Sequence, residues 1–147
     1  MSKQELENLA RIGQLKAEPG IRAEFDGLVD SARKRLADAR NENLSFESRF
    51  DLAYNAAHAF ALAALRRHDY RPQNRYVVFQ AIPHTLSLDA VIWRVLAKCH
   101  DRRNLAEYEG HFEIDERLLA DLIECTVRLE AAVAALDRPA RTYTKLH

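Results

Sequence analysis

Glycine and proline are scarce in this chain, with four of each among 147 residues. Because both residues mark turns and interrupt regular structure, their scarcity favours a few long elements over many short ones. The length predicts one domain, with a core large enough to fold without disulfides or a structural metal. The 48% of hydrophobic residues and 30% of charged residues are ordinary for a soluble globular protein.

The chain has no net charge, because its 22 basic residues balance its 22 acidic residues. A chain without an overall positive field does not attract nucleic acid or a membrane surface through its total charge. Any site for a polyanion must therefore be local.

The chain has only two cysteines, Cys99 and Cys125, and lacks a CxxC motif or a cysteine–histidine spacing typical of zinc sites. We therefore expect two buried thiols in a reducing cytosol, with no metal and no cofactor. The longest uncharged run, residues 52–65, is shorter than the roughly 20 residues of a bilayer span. The N-terminus has no apolar signal core. These absences predict a cytoplasmic protein without a membrane partner.

Hydrophobic periodicity predicts helices along most of the chain. A short first helix is expected from Ser2 to about Lys16, and a second from Ile21 to about Ala39. Ser45 is predicted to cap a third helix, which is apolar on almost every face and therefore central. The segment "RYVVFQAI" has the β-branched residues of a strand, but no other segment offers a partner strand, so a helix broken near Pro83 is expected.

Two further helices complete the predicted fold. One runs from Leu88 to about Leu105, and the other follows Asp115 as its cap. The apolar stripe of the last helix is Leu118, Leu122, Cys125, Leu129, Val133 and Leu136. The sequence thus predicts an all-α single domain over residues 1–147, an antiparallel up-and-down four-helix bundle with an additional short N-terminal helix. Residues 138–147 are expected to be a polar, frayed tail.

The stretch "CHDRRNLAEYEG", residues 99–110, crowds titratable and basic side chains into one or two turns. Spacing alone favours a solvated helix end, in which Arg103 and Glu107 pair at i,i+4. Basic residues near a helix C-terminus also suit the helix dipole.

The segment "RRNLAEYEG", following "RFDLAYNAAHAFALAAL" and "VIWRVL", resembles the HEPN superfamily over roughly Leu44 to Leu136. The signature of that superfamily is an arginine, usually followed by asparagine, with a histidine a few residues on. The resemblance implies a helical bundle and, as in many members, a homodimeric, metal-independent endoribonuclease that is the toxin of a toxin–antitoxin pair. The antitoxin partner would then be a minimal nucleotidyltransferase. Other members bind nucleotide or dock on partners without catalysis, and this alternative stays open.

The resemblance also implies roles for individual residues. Arg103 would bind the phosphate, Asn104 would orient it or bind a substrate oxygen, and the adjacent Arg102 would support them. Tyr108 stands where the superfamily most often has histidine, and tyrosine keeps its proton at neutral pH because its pKa is about 10. His111, three residues further on, is the candidate substitute for the missing acid–base group.

Three polar residues, Asp51, Asn55 and His58, share one face of the apolar third helix. We expect Asp51 or Asn55 to hydrogen-bond the guanidinium of Arg103 and aim it. The alternative is that these residues are core polar groups that tie helices together, which we favour for His58. The basic stretch "RRHDYRPQNR", residues 66–75, is expected to be a solvated loop at the pole opposite Arg103.

Overall fold

The computed structural model describes residues 2–109 and 115–136, and this part of the chain is mostly helical. The prediction of a predominantly helical protein is therefore confirmed. In chain order the elements are α1 (Ser2–Arg11), β1 (Leu15–Ala17), α2 (Arg22–Ala39), α3 (Phe46–Arg67), β2 (Tyr70–Pro72), α4 (Arg75–Gln80), α5 (Ile82–Thr85), α6 (Ala90–Glu109) and α7 (Glu116–Leu136).

A small two-stranded antiparallel sheet departs from the all-α prediction. Strand β1 pairs with β2 so that Leu15 lies opposite Pro72 and Ala17 opposite Tyr70. The first helix ends at Arg11, earlier than predicted, because Gly13 adopts a positive φ of 85° that ends the helix. The chain is then free to run extended along β2. Strands of three residues are too short for alternation to reveal them in the sequence.

The segment "RYVVFQAI" is helical, as predicted. Asn74 caps α4, since its side chain accepts a hydrogen bond of 3.0 Å from the backbone N–H of Val77. Pro83 lies in the first turn of α5, where a missing N–H costs nothing. The break between the two short helices therefore falls next to the proline.

Helix α3 is the centre of the fold and contacts α2, α4, α5, α6 and α7. Its alanine-rich faces are buried, which confirms the expectation from its all-round apolar sequence. Helices α2 and α3 are antiparallel: Arg49 donates to the carbonyl of Ala39 at one end, and Arg66 pairs with Glu24 at the other. None of the described helices is long and apolar enough to cross a membrane.

Helix caps predicted from the sequence are in place. The Ser45 hydroxyl accepts a hydrogen bond of 3.1 Å from the backbone N–H of Ser48 at the start of α3. The Asp115 carboxylate accepts one of 2.7 Å from the backbone N–H of Leu118 at the start of α7. Both caps satisfy donors that the first helical turn leaves unpaired.

A buried arginine fixes the sheet and the start of α2 to the end of α3. The guanidinium of Arg66 is 1% exposed and lies in a group that we call the Arg66 cluster, formed with Glu18, Glu24 and Arg71. Arg66 pairs with Glu24 at 3.0 Å and donates to the backbone carbonyls of Glu18, Pro19 and Tyr70. The cluster therefore joins residues 18–24 to residues 66–71, which are distant in sequence.

Gly20 passes so close to the end of α3 that a side chain does not fit. A Cβ at this position would lie 2.4 Å from the backbone oxygen of Arg66. We expect Gly20→Ala to lower the free energy of unfolding by about 1–3 kcal/mol, the cost typical of overpacking. Gly27→Ala is the matched control, because Gly27 lies within α2 and a Cβ there meets no atom within 4 Å.

The control should instead stabilise the protein, by roughly 0.5–1 kcal/mol, since alanine favours a helix interior over glycine. Urea denaturation followed by circular dichroism measures both changes. Equal stability of the two variants would contradict the close approach of the Gly20 segment to α3.

Candidate functional site

A polar and aromatic group lies where α3, α4 and α6 meet. Because α3 and α6 run antiparallel at this point, position 51 faces position 103 and position 54 faces position 100. Residues three and four apart share a helix face, so α3 and α6 each contribute three neighbouring side chains, and α4 contributes one. We call this group the Tyr54–His100 cluster, and its members are Asp51, Tyr54, Asn55, Arg75, His100, Arg103 and Asn104.

Arg103 is held against α3 by an ion pair and an aromatic ring. Its Nε donates to Oδ1 of Asp51 at 3.2 Å, and its Cζ lies 5.1 Å from the centre of the Tyr54 ring. The Arg103 side chain is 25% exposed, so its guanidinium is oriented by protein contacts and still accessible to solvent. The predicted contact between Asp51 and Arg103 is confirmed.

Asn55 links Asp51 to a second arginine. Its amide nitrogen donates to the backbone oxygen of Asp51 at 2.9 Å and to Oδ2 at 3.3 Å. Its amide oxygen accepts from Nη1 of Arg75 at 3.4 Å. Of the two residues proposed to aim Arg103, it is Asp51 that contacts it, while Asn55 positions Asp51 and Arg75.

His100 is hydrogen-bonded through both ring nitrogens. Nδ1 lies 2.8 Å from the Tyr54 hydroxyl, and Nε2 lies 3.2 Å from the side-chain nitrogen of Asn104. With the Asn104 amide nitrogen placed as the donor, Nε2 accepts, and the neutral ring is assigned its proton on Nδ1, which then donates to the Tyr54 oxygen. The lone pair of Nε2 therefore faces the solvent side of the cluster, where the exposed Asn104 covers it.

The protein surroundings favour the neutral form of His100. Burial lowers the pKa of His100 below its ordinary value of 6.5, and the positive charges of Arg75 and Arg103 lower it further against the opposing effect of Asp101. The imidazole is therefore uncharged at neutral pH. A neutral histidine beside a cation can accept a proton from a substrate hydroxyl.

Tyr54 forms the buried floor of the cluster. The side chain is 1% exposed, and Arg75 and Arg103 both place Cζ within 6 Å of its ring centre. Burial raises the pKa of Tyr54 above its ordinary value, and the two arginines offset only part of this effect. The phenol therefore keeps its proton and acts as a hydrogen-bonding support for His100.

His58 lies one turn further along α3 and belongs to the core. Its ring packs edge-on against Phe79, with the ring centres 5.9 Å apart. Burial lowers the pKa of His58 to about 4, with smaller contributions from Arg75 and His100. His58 is therefore neutral, in keeping with the interpretation as a core polar group.

The residues predicted from the HEPN-like motif lie in different surroundings in the structure. Asn104 lies 3.2 Å from Nε2 of His100, a contact that the sequence did not predict. Arg102 is partly buried, and its charge acts on the pKa of the buried Cys99 thiol, which places it toward the α7 side of α6. The side chain of Tyr108 and the whole of His111 lie outside the described residues.

The basic stretch 66–75 is not the solvated loop that the sequence predicted. Arg66 is buried in its ion-pair cluster, and Arg71 pairs with Glu18 at 2.7 Å. Arg75 lies beside Tyr54, on the same side of the fold as Arg103. The expectation that this stretch lies opposite Arg103 is therefore wrong for Arg75, because α4 packs back against α3 and α6.

Three members of the cluster were not predicted as site residues: Tyr54, Arg75 and His100. For His100 a signal was present, because it precedes Asn104 by one helical turn and lies on the face of Arg103. For Tyr54 the signal was its position between Asp51 and Asn55 on the same face. Arg75 offered no local signal, since its place depends on how α4 packs.

Clefts also occur on other faces of the molecule. One of about 440 Å³ lies between α2 and α7, lined in part by Phe25, Arg33 and Val133. Another of about 370 Å³ lies beside the start of α3 and includes Phe46 and Ile123. Neither contains a residue of the Tyr54–His100 cluster.

Within residues 2–109 and 115–136, no group of three or more histidine, cysteine, aspartate or glutamate side chains is placed to hold a metal ion. Comparison with protein-family models, with curated proteins and with solved structures finds no match for this chain. Function is therefore inferred from the chemistry of the cluster itself.

Proposed function

We propose that this chain is a HEPN-like, RNA-directed protein that cleaves RNA at the Tyr54–His100 cluster without a metal. The observation that supports the proposal is the placement of Arg103 beside His100 on one face of α6. An oriented guanidinium matches the oxygens of a phosphodiester. A neutral imidazole within the same group supplies a base near neutral pH.

The chemistry assigns a separate task to each group. Arg103 binds a non-bridging phosphate oxygen and stabilises the charge that develops on the phosphorane. Asn104 turns aside, and Nε2 of His100 accepts the proton of the 2′-hydroxyl as the 2′-oxygen bonds to phosphorus. The bond from phosphorus to the 5′-oxygen breaks, and that oxygen takes a proton from water. The products are a 2′,3′-cyclic phosphate and a 5′-hydroxyl end.

The proposal extends to architecture and partners. The helices α2, α3, α6 and α7 would form the antiparallel up-and-down bundle of the superfamily, with α1 as the additional N-terminal helix. The antiparallel contacts of α2 with α3 and of α3 with α6 support this arrangement. In the corresponding biological setting, the protein is a cytoplasmic homodimer and the toxin of a pair whose antitoxin is a nucleotidyltransferase.

Two observations favour a second function. Arg103 already pairs with Asp51, and Tyr108 stands at the position of the superfamily histidine. Both features suit a module that binds nucleotide, or docks on a nucleotidyltransferase, without cleavage. Binding of RNA without turnover would support this alternative.

An Arg103→Ala variant tests the proposed function. We expect cleavage of single-stranded RNA by the purified protein in the presence of EDTA, and a decrease of about 10²–10³-fold in rate for the variant, since it loses the phosphate-binding cation. Product ends are identified by mass spectrometry. In cells, induced expression of the wild type should arrest growth, and expression of the variant should not.

Arg117→Ala is the matched control, because Arg117 is 87% exposed on α7 and pairs only loosely with Asp121 at 3.8 Å. The control should cleave at the wild-type rate. Loss of wild-type cleavage in EDTA, or full activity of Arg103→Ala, would contradict the proposal.

A further inference from the structure

An exposed aromatic ring adjoins the Tyr54–His100 cluster. Tyr76 is 40% exposed, although the neighbouring residues Val77, Val78 and Phe79 are buried. Its ring centre lies 6.2 Å from that of His100 and 6.0 Å from that of Trp93. The contact with Trp93 is edge-to-face, which holds the Tyr76 ring in a defined orientation.

The residue before Tyr76 brings a second cation to the same place. Arg75 is exposed, and its Cζ lies 5.7 Å from the Tyr54 ring centre, compared with 5.1 Å for Arg103. Among the described residues, Asp51 pairs with Arg103, but no carboxylate forms an ion pair with Arg75. Arg75 therefore adds a second guanidinium to the side of the fold where Arg103 lies, and a phosphate oxygen could bind to it.

We propose that Arg75 and Tyr76 extend the cluster into a site for single-stranded RNA, in which a base stacks on Tyr76 and the adjoining phosphate lies between Arg75 and Arg103. This inference rests on the proposed RNA-directed function and names its substrate class. Unpaired bases can stack on an aromatic side chain, whereas bases within a duplex are already stacked on their neighbours. The two arginines contact only phosphate and therefore do not select a sequence.

The ring and the cations have separate consequences for binding. Tyr76 should discriminate single strands from duplexes, because only a free base can reach its ring. Arg75 should strengthen binding of either form and make it more sensitive to salt. Replacing Tyr76 should therefore change the preference for single strands, and replacing Arg75 should change the affinity for both forms and its salt dependence.

Fluorescence anisotropy with a labelled, uncleavable 2′-O-methyl oligonucleotide, single-stranded or annealed to its complement, tests the inference. We expect the wild type to bind the single strand at least about tenfold more tightly, and Tyr76→Leu to weaken that binding at least about fivefold, the lower end of base–aromatic stacking. Tyr76→Phe keeps the ring and should bind as the wild type does. Arg75→Ala should weaken both forms and reduce the salt dependence.

Phe46→Leu is the matched control for loss of an exposed aromatic, because Phe46 is 42% exposed at the start of α3, away from the cluster. Thermal melts confirm that each variant is folded. Wild-type affinity of Tyr76→Leu, or equal affinity of the wild type for single strand and duplex, overturns the inference. If one of these two results is obtained but Arg103→Ala still abolishes cleavage, the proposed function stands without the inferred single-strand site. If the wild type neither binds nor cleaves RNA, the proposed function fails first.

Discussion

Replacing His100 with alanine is expected to slow RNA cleavage by about 10²–10⁴-fold, the usual contribution of a positioned acid–base group. The expectation follows from the placement of its ring, which Tyr54 contacts through Nδ1, one helical turn from Arg103 on α6. His100→Gln keeps polar groups in a similar volume but cannot take up a proton at neutral pH. It should therefore be as inactive as the alanine variant while remaining folded.

The pH dependence of cleavage tests the same assignment. The pKa of His100 lies below 6.5 because of burial and of the charges of Arg75 and Arg103, with Asp101 opposing them. His58 adds no charge at neutral pH, since its own pKa is about 4. A base works in its unprotonated form, so the rate should rise with pH through this lowered pKa and become level at neutral pH.

The residues at the superfamily spacing are the competing candidates for the base. Tyr108→Phe and His111→Ala should keep most of the wild-type rate if His100 is the base. If either abolishes cleavage while His100→Ala does not, the assignment is wrong. A cleavage rate that rises with pH with a midpoint near the ordinary tyrosine pKa of about 10 would indicate that Tyr108 is the base.

Helix positions could be predicted from the sequence because their signals are local. The caps Ser45 and Asp115 each precede a long run of helix-forming residues, and Pro83 marks the break between α4 and α5. The two-stranded sheet could not be predicted in this way. Its strands are short and pair residue 15 with residue 72, so their stability comes from tertiary contacts, including those of Arg66.

Part of the candidate site followed from helix geometry. The pairing of Asp51 with Arg103 was predicted because a chain that returns beside α3 brings these positions together. The position of Arg75 was not, because it depends on α4 folding back against both α3 and α6. The hydrogen bond of His100 likewise depends on Tyr54, which is 46 positions away in the sequence.

The largest effect on stability is expected from Arg66. Arg66→Met keeps a similar side-chain length but removes the guanidinium that pairs with Glu24 and donates to the carbonyls of Glu18, Pro19 and Tyr70. Losing this buried charge typically costs about 3–5 kcal/mol, because the three carbonyls lose their donor, although Arg71 still pairs with the two carboxylates. Urea denaturation should therefore show a loss of this size in the free energy of unfolding.

Arg71→Met is the matched control, because Arg71 pairs with the same two carboxylates, Glu18 at 2.7 Å and Glu24 at 3.1 Å, but is 41% exposed. Water can replace its contacts, so its loss should cost no more than about 1 kcal/mol. The two variants lose the same charge and the same two carboxylate partners, so a large difference between them reflects the burial of Arg66 and its bonds to three backbone carbonyls. Equal losses would mean that the Arg66 guanidinium is solvated, and that the sheet and the start of α2 are held to α3 by other contacts.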